Sequence, residues 1–305
     1  MATRERRVLV SGATGRQGGA IANELLNAGW TVRAMTRRPE CAEARALAER
    51  GAEVVRADFD DEASLRKAFE GVWGTVAVQN TWEAGVEKEE VQGKRYARVA
   101  KDAGVQQFLY QSVGCAHRKT GIPHFDNKAR VEETIRSLGF PSYVVIRPVF
   151  FMENLLSPWF KPSIDQGTLA FGVQPDTRLQ MIAVQDIGKY GFQVFDRHES
   201  RNGREIDIAG DALTAPEIAR ILSDVTGRQI RYQQVPIEEI RKGSEDYAVM
   251  LEWFDRVGYD ADIEGNAHEF DIAPTKFRDW AARQDWEPAG ATKSAREEAG
   301  SASGP

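Results

Sequence analysis

VLVSGATGRQGGAIANELLNAGWTVRAMTRRP, from Val8 to Pro39, is the stretch whose reading decides the fold. Its apolar opening, Val8 to Val10, is the length of one buried strand. Gly12, Gly15 and Gly18 follow with the spacing G-x-x-G-x-x-G. From Ala20 to Leu26 the apolar residues recur at helical spacing, and Asn27-Ala28-Gly29 ends that helix. A second strand spans Thr31 to Thr36. This β-α-β unit places its glycines at the first turn, where the pyrophosphate of a dinucleotide rests on a helix N-terminus. Gly12 permits the sharp turn, Gly15 removes a Cβ so that N–H groups can reach phosphate, and Gly18 lets helix and strand approach. The candidate phosphate cradle is therefore Gly12, Ala13, Thr14, Gly15, Arg16, Gln17 and Gly18.

The end of the second strand bears on which dinucleotide is bound. An NAD reader carries Asp or Glu there, about 20 residues past the glycines, to bond the ribose 2′-hydroxyl. This chain has Thr36, Arg37 and Arg38 instead. Guanidinium groups suit a 2′-phosphate, with charge-assisted hydrogen bonds of about 1.5–3 kcal/mol each. The plainer alternative is a solvated arginine pair at a strand end. The expected cofactor is NADP(H), preferred over NAD(H).

With 305 residues the chain has material for one large domain or a two-part globule. It is 42% hydrophobic and 28% charged, with formal net charge -6. That mild acidity provides no field to attract nucleic acid or an anionic membrane, so neither is expected as a direct partner. No apolar run reaches the roughly 20 residues of a membrane span. The opening MATRERR is charged and leaves no room for a signal peptide, which points to the cytoplasm. Cys41 and Cys115 lack metal-ligand spacing and read as reduced thiols; no metal site is expected.

Beyond the first unit, strand and helix keep alternating. Helices are expected over 42–50, 62–69, 86–103 and 124–139, and strands over 52–57, 72–78, 107–111 and 142–147. Such alternation specifies a parallel sheet with helices on both faces, and a ligand at the carboxyl ends of the strands. Those ends bring together the glycines, Arg37, Asp58, Gln79, Asn80, Thr81 and Ser112. Asp58 either accepts a bond from an adenine amino group, with Phe59 beside the ring, or takes part in helix capping, for which Asp61 is also placed. The charges of the 86–103 helix, such as Glu89 with Lys94 and Arg95, read as a solvated face. Segments 79–82 and 114–123 read as loops that cofactor binding would order. His124 and Lys128 share one helical face, and Phe150 to Leu156 would cross the cofactor cleft.

After Phe150 the segments shorten. Asp186 reads as the N-cap of a helix through Phe195, Thr214 with Glu217 as a capping box, and strands are expected over 204–209 and 230–235. Helices over 237–240, 247–257 and 275–283 follow, then a disordered tail of Gly, Ala, Ser and charge.

Taken together, the chain resembles the NmrA-like family, a branch of the atypical short-chain dehydrogenase/reductase superfamily. The resemblance rests on GATGRQG at 12–18, TRRP at 36–39, ADFDD at 57–61 and QNTWE at 79–83. QGKRYARVAKDAGV at 92–105, HFDNK at 124–128 and RPVFFMENLL at 147–156 extend it. It implies an α/β fold: a Rossmann doubly wound parallel sheet over residues 1–155, a smaller α+β C-terminal lobe over 156–288 with segments packing back on the sheet, and a tail over 289–305. It also implies that Arg37 contacts the 2′-phosphate, Lys128 the nicotinamide ribose, and Phe151 to Asn154 the nicotinamide end.

A reductase of the wider superfamily uses Tyr-x-x-x-Lys, the lysine helping the phenol to pass a proton. Here Lys128 is present, His124 stands in the tyrosine's place, and Ser112 takes that of the helper serine. Either His124 is the proton donor, since imidazole titrates near neutral pH, or the relay is lost and Lys128 only anchors the ribose. The leading expectation is an NADP(H)-binding redox sensor or regulator that a partner protein reads, with weak or absent dehydrogenase activity. The competing one is an NADPH-dependent oxidoreductase acting on a quinone or similar conjugated carbonyl, held by Trp82, Phe150, Phe151 and Trp159. A homodimer is compatible with both.

Overall fold

The computed structural model describes residues 6–286. The tail expected to be disordered and the first five residues of the charged start lie outside the described residues. In chain order the strands are β1 (Arg7–Val10), β2 (Thr31–Thr36), β3 (Glu53–Arg56), β4 (Gly74–Ala77), β5 (Gln107–Gln111) and β6 (Ser142–Pro148). Then come β7 (Phe150–Phe151), β8 (Thr168–Phe171), β9 (Leu179–Ile182), β10 (Glu205–Ile208), β11 (Asp211–Leu213) and β12 (Arg231–Gln234). The helices are α1 (Arg16–Asn27), α2 (Ala42–Glu49), α3 (Glu62–Ala68), α4 (Thr81–Ala84), α5 (Val86–Asp102), α6 (Pro123–Leu138) and α7 (Lys161–Asp165). They continue with α8 (Val184–Asp196), α9 (His198–Arg201), α10 (Ala215–Thr226), α11 (Ile237–Gly243), α12 (Glu245–Arg256), α13 (Ile263–Phe270) and α14 (Phe277–Ala281).

Seven strands form one parallel sheet in the order β10-β6-β5-β4-β1-β2-β3. Its central strands are apolar on both faces, as helices on both sides require: Val8, Leu9, Val10 and Val76 are fully buried. The order reverses between β1 and β4, and that switch point opens the crevice in which open α/β sheets bind ligands. The smaller lobe adds a three-stranded sheet, β11-β9-β7, and a parallel pair, β12-β8, around its own aromatic core.

β10, drawn from the later half of the chain, is the edge strand beside β6. Helix α8, also from that half, lies along α1. The approach is close enough that a Cβ on Gly188 would sit 2.9 Å from the Ala20 carbonyl oxygen, and one on Gly191 2.6 Å from Ile21 Cγ1.

The expected caps divide. Asp61 accepts the Ser64 N–H at 3.2 Å and starts α3. At α10 the capping box is complete, with Glu217 N donating to Thr214 Oγ1 at 3.3 Å and Thr214 N donating to Glu217 Oε2 at 2.8 Å. Asp186 is not a cap. α8 begins earlier, and its first N–H, from Val184, donates to the carboxylate of Glu153 at 3.0 and 3.1 Å. Asp186 instead accepts from Thr275 N at 2.7 Å and Thr275 Oγ1 at 3.0 Å, tying α8 to the end of the chain. That tie leaves 275 and 276 outside the last helix, shorter than expected at Phe277–Ala281. Four short helices, α4, α7, α9 and α13, lie where none is expected from sequence; α4 replaces part of the 79–82 loop.

Candidate functional site

The glycine loop has the geometry an anion needs. Gly12 adopts φ +61°, a left-handed conformation that costs a side-chain-bearing residue. A Cβ on Gly18 would lie 2.4 Å from the Gly12 carbonyl oxygen, so only glycine lets α1 pack onto this turn. α1 starts with Gly15 at its N-cap, no side chain bonded to its free N–H groups, and no acid in its first turn. Unshared N–H donors at the positive end of a twelve-residue helix suit a diphosphate. The Gln17 side-chain oxygen is buried here without a hydrogen-bond partner. Ala13 and Thr14 line the turn, and Arg16 donates to Asn154 Oδ1 at 3.4 Å, joining the loop to the segment after β7.

Arg37 and Arg38 stand exposed just past the end of β2. Arg37, 55% exposed, is ion-paired with Glu83 of α4. That contact, with the fields of Asp58 and Asp60, raises its pKa further, so the guanidinium is always charged. Asp58 accepts the Asp60 N–H at 2.9 Å and shapes its own turn, while capping falls to Asp61. Phe59 meets Tyr96 edge-on at 5.4 Å. At the end of β4, Gln79 is buried with neither amide atom bonded. Asn80 caps α4 through Trp82 N at 3.1 Å.

The central finding is a buried carboxylate. Glu89, read from sequence as part of a solvated face, has a side chain only 1% exposed. Lys128 Nζ lies 2.5 Å from its Oε1, Asn127 Nδ2 donates to its Oε2 at 2.9 Å, and the Thr81 hydroxyl donates to the same oxygen. Burial alone would push this carboxyl up; the ammonium and the two neutral donors outweigh it and hold the group below the usual range. The glutamate is thus held in its ionised form beside the Lys128 amine. The signal was present: Glu89 continues at helical spacing the buried stripe of Gly93, Tyr96, Ala97 and Ala100 on α5.

One turn before Lys128, His124 is buried with its Nδ1 2.7 Å from Asp246 Oδ2 of α12. The two groups are close but not aligned as a hydrogen bond. The Trp82 indole, 64% exposed, covers the imidazole at 5.3 Å and reaches Tyr247 at 6.4 Å. Among the described residues His124 Nε2 has no hydrogen-bond partner. Tyr110 supplies no replacement phenol: burial, together with Glu89 and Glu132, holds it far above its ordinary pKa.

Two placements differ from the expected site. Ser112 is not a free helper hydroxyl; it donates to Glu132 Oε1 at 2.5 Å, inside a buried cluster where Arg147 also grips Glu132 at 2.6 and 2.8 Å. Phe150 turns away from the crevice into the lobe core, 5.8 Å from Phe171 and 6.2 Å from Phe160. Phe151, half-buried, and Asn154 stay beside the glycine loop. Trp159 is 89% exposed. The 114–123 segment holds a 3-10 turn, Ala116–Arg118, pinned where Cys115 N donates to Asp207 Oδ2 at 2.5 Å. Both cysteines are free, and burial pushes the Cys115 thiol up to about 12. Among the described residues no group of three His, Cys, Asp or Glu side chains is arranged to hold a metal, and no helix is long and apolar enough to cross a membrane.

This architecture is shared. The structure superimposes on an NADPH-dependent quinone oxidoreductase from Escherichia coli solved with NADPH, with TM-score 0.77 and 24% identity over 90% of this chain and 98% of that one. It also superimposes on NmrA, a negative transcriptional regulator solved with NADP, with TM-score 0.76 and 20% identity over 97% and 98%. At those identities the likeness is one of fold. In sequence the chain is 30% identical over 254 residues to the NmrA-like family domain-containing oxidoreductase FrzB of a Cladobotryum species, covering 75% of this chain and 76% of that one. The sequence model of the NmrA-like family matches residues 4–281, nearly everything from the first strand to the last helix, and the chain belongs to that family.

Proposed function

We propose that the chain binds NADP(H) along the carboxyl ends of β1, β2 and β4 and is a reductase of a quinone or similar conjugated carbonyl. The observation that carries the reading is His124. It occupies the place of the missing tyrosine, the partly exposed carboxylate of Asp246 lies 2.7 Å from its Nδ1, and among the described residues no hydrogen bond reaches its Nε2. The residues fit the cofactor: the uncapped N-terminus of α1 would take the diphosphate, Arg37 the 2′-phosphate, and Lys128 the nicotinamide ribose through donors that Glu89 leaves free. The bound nicotinamide supplies a hydride equivalent. The rest falls to the chain. His124 Nε2–H donates a proton to the carbonyl oxygen as it gains charge, Asp246 keeps the ring in that orientation, and the Trp82 face offers a planar substrate a stacking surface. The FrzB likeness supports an oxidoreductase, and the quinone oxidoreductase supports this substrate class by analogy of fold.

A regulatory reading has its own observation. Lys128 and His124 are each tied to a carboxylate, and an exposed indole lies over the second, a surface a partner could read once cofactor binds. Turnover separates the two. With a panel of quinones the protein should oxidise NADPH steadily, and Asp246→Asn should lower kcat at least tenfold while the NADPH Kd stays within twofold. No turnover with any quinone, despite tight NADPH binding, leaves the regulatory reading.

A further inference from the structure

We propose that Glu83 sets cofactor selectivity at this site by competing with the 2′-phosphate of NADP(H) for the Arg37 guanidinium. The inference rests on the reading of Arg37 as the phosphate-binding residue and adds the group that opposes it. Arg37 directly follows β2 and Glu83 lies on α4, shortly after β4, so the pair links segments at the carboxyl ends of two strands of the sheet.

Three observations single out Glu83 among the carboxylates near Arg37. Asp60 is already paired with Lys88 at 2.7 Å and Arg95 at 3.4 Å. Asp58 is engaged by the Asp60 N–H. Among the described residues Glu83 has Arg37 as its only cationic partner. A phosphate dianion that takes the guanidinium therefore leaves Glu83 unpaired beside it, a like-charge contact that opposes binding. A ribose 2′-hydroxyl is neutral and can donate to the same carboxylate, so NAD(H) meets no such opposition. Glu83 cannot simply withdraw with its helix. Its neighbour Thr81 is bonded to the buried Glu89, and α4 is capped by Asn80. The pair itself is 55% and 54% exposed, so the competition is of the modest size solvent allows.

The test is calorimetric titration of the full chain with NADPH and with NADH at one ionic strength, for the wild type, Glu83→Ala, Arg37→Ala and the double variant. Glu83→Ala should tighten NADPH by about two- to fivefold and leave NADH within twofold. In the Arg37→Ala background the gain should vanish. Unchanged or weaker NADPH binding in Glu83→Ala, or a gain that persists without Arg37, overturns the proposal alone. If Arg37→Ala leaves the NADPH-to-NADH ratio unchanged, the phosphate reading of Arg37 falls first and the proposal with it.

Discussion

Two ion pairs flank the same short helix and behave as opposites. Glu83 reaches out from α4 to Arg37, and both side chains are more than half exposed. Glu89, at the start of α5, reaches inward to Lys128, and both are buried. Water screens the first pair, which is worth about 0–1 kcal/mol and is readily exchanged for another anion. The second has lost its water. Each charge depends on the other and on Thr81 and Asn127, so removing one partner strands the other. Under the proposed function, the contrast suits the exposed pair to reading ligand identity and the buried pair to serving as framework for the reacting end.

The sharpest way to break this comparison is Glu89→Ala, which leaves Lys128 desolvated and unpaired. It should cost about 3 kcal/mol in urea denaturation. Glu89→Leu combined with Lys128→Met should recover most of that loss, because an apolar pair of similar volume needs no counter-charge. A cost below about 1 kcal/mol for the single variant would mean that the ammonium finds water, and the framework role would go.

An intermediate case sits at the sheet edge. Glu205, partly exposed, is gripped by Arg136 at 2.6 and 2.7 Å and by Arg147 at 2.6 Å, which hold its carboxyl at about 2 against an ordinary 4.5. Its folded pKa is depressed, so its contribution is fully present above pH 4.5 and lost as pH falls toward 2. Denaturation midpoints of Glu205→Gln and wild type, far apart at pH 6, should converge between pH 4 and pH 2.5. A constant gap across that window would sink the assignment. The smallest effect belongs to Glu83→Ala, whose unfolding free energy should stay within about 0.5 kcal/mol of wild type while its cofactor ratio moves.

Much of the fold was legible because the evidence for it is local. The strand, glycine turn and helix of residues 8–29 are each encoded in the residues that form them, and so are the caps at Asp61 and Thr214. What escaped is set by partners far along the chain. Glu89 looked like a surface charge because its cation lies 39 residues away. Its burial depends on α5 packing against α6, where a Cβ on Gly93 would come within 3.0 Å of Val131. Asp186 looked like a cap because Thr275, 89 residues on, left no local trace. The candidate site divides the same way: the phosphate loop, Arg37, His124 and Lys128 could be named from sequence, whereas Glu83, Glu89 and Asp246 are defined only by what they face.

The glycine contact between α8 and α1 also bears on how the protein comes to exist. Synthesis delivers the first six strands long before Gly188 and Gly191 leave the ribosome, yet α8 closes over one face of α1, and β10 pairs with the sheet edge at β6. Until about residue 208 has emerged, a nascent chain carries an uncovered helix face and an unpaired, largely apolar strand. The stretch that looks like a self-sufficient nucleotide-binding module is therefore a late-completing one. Its last steps are long-range, and its growing chain is the form most exposed to misassembly.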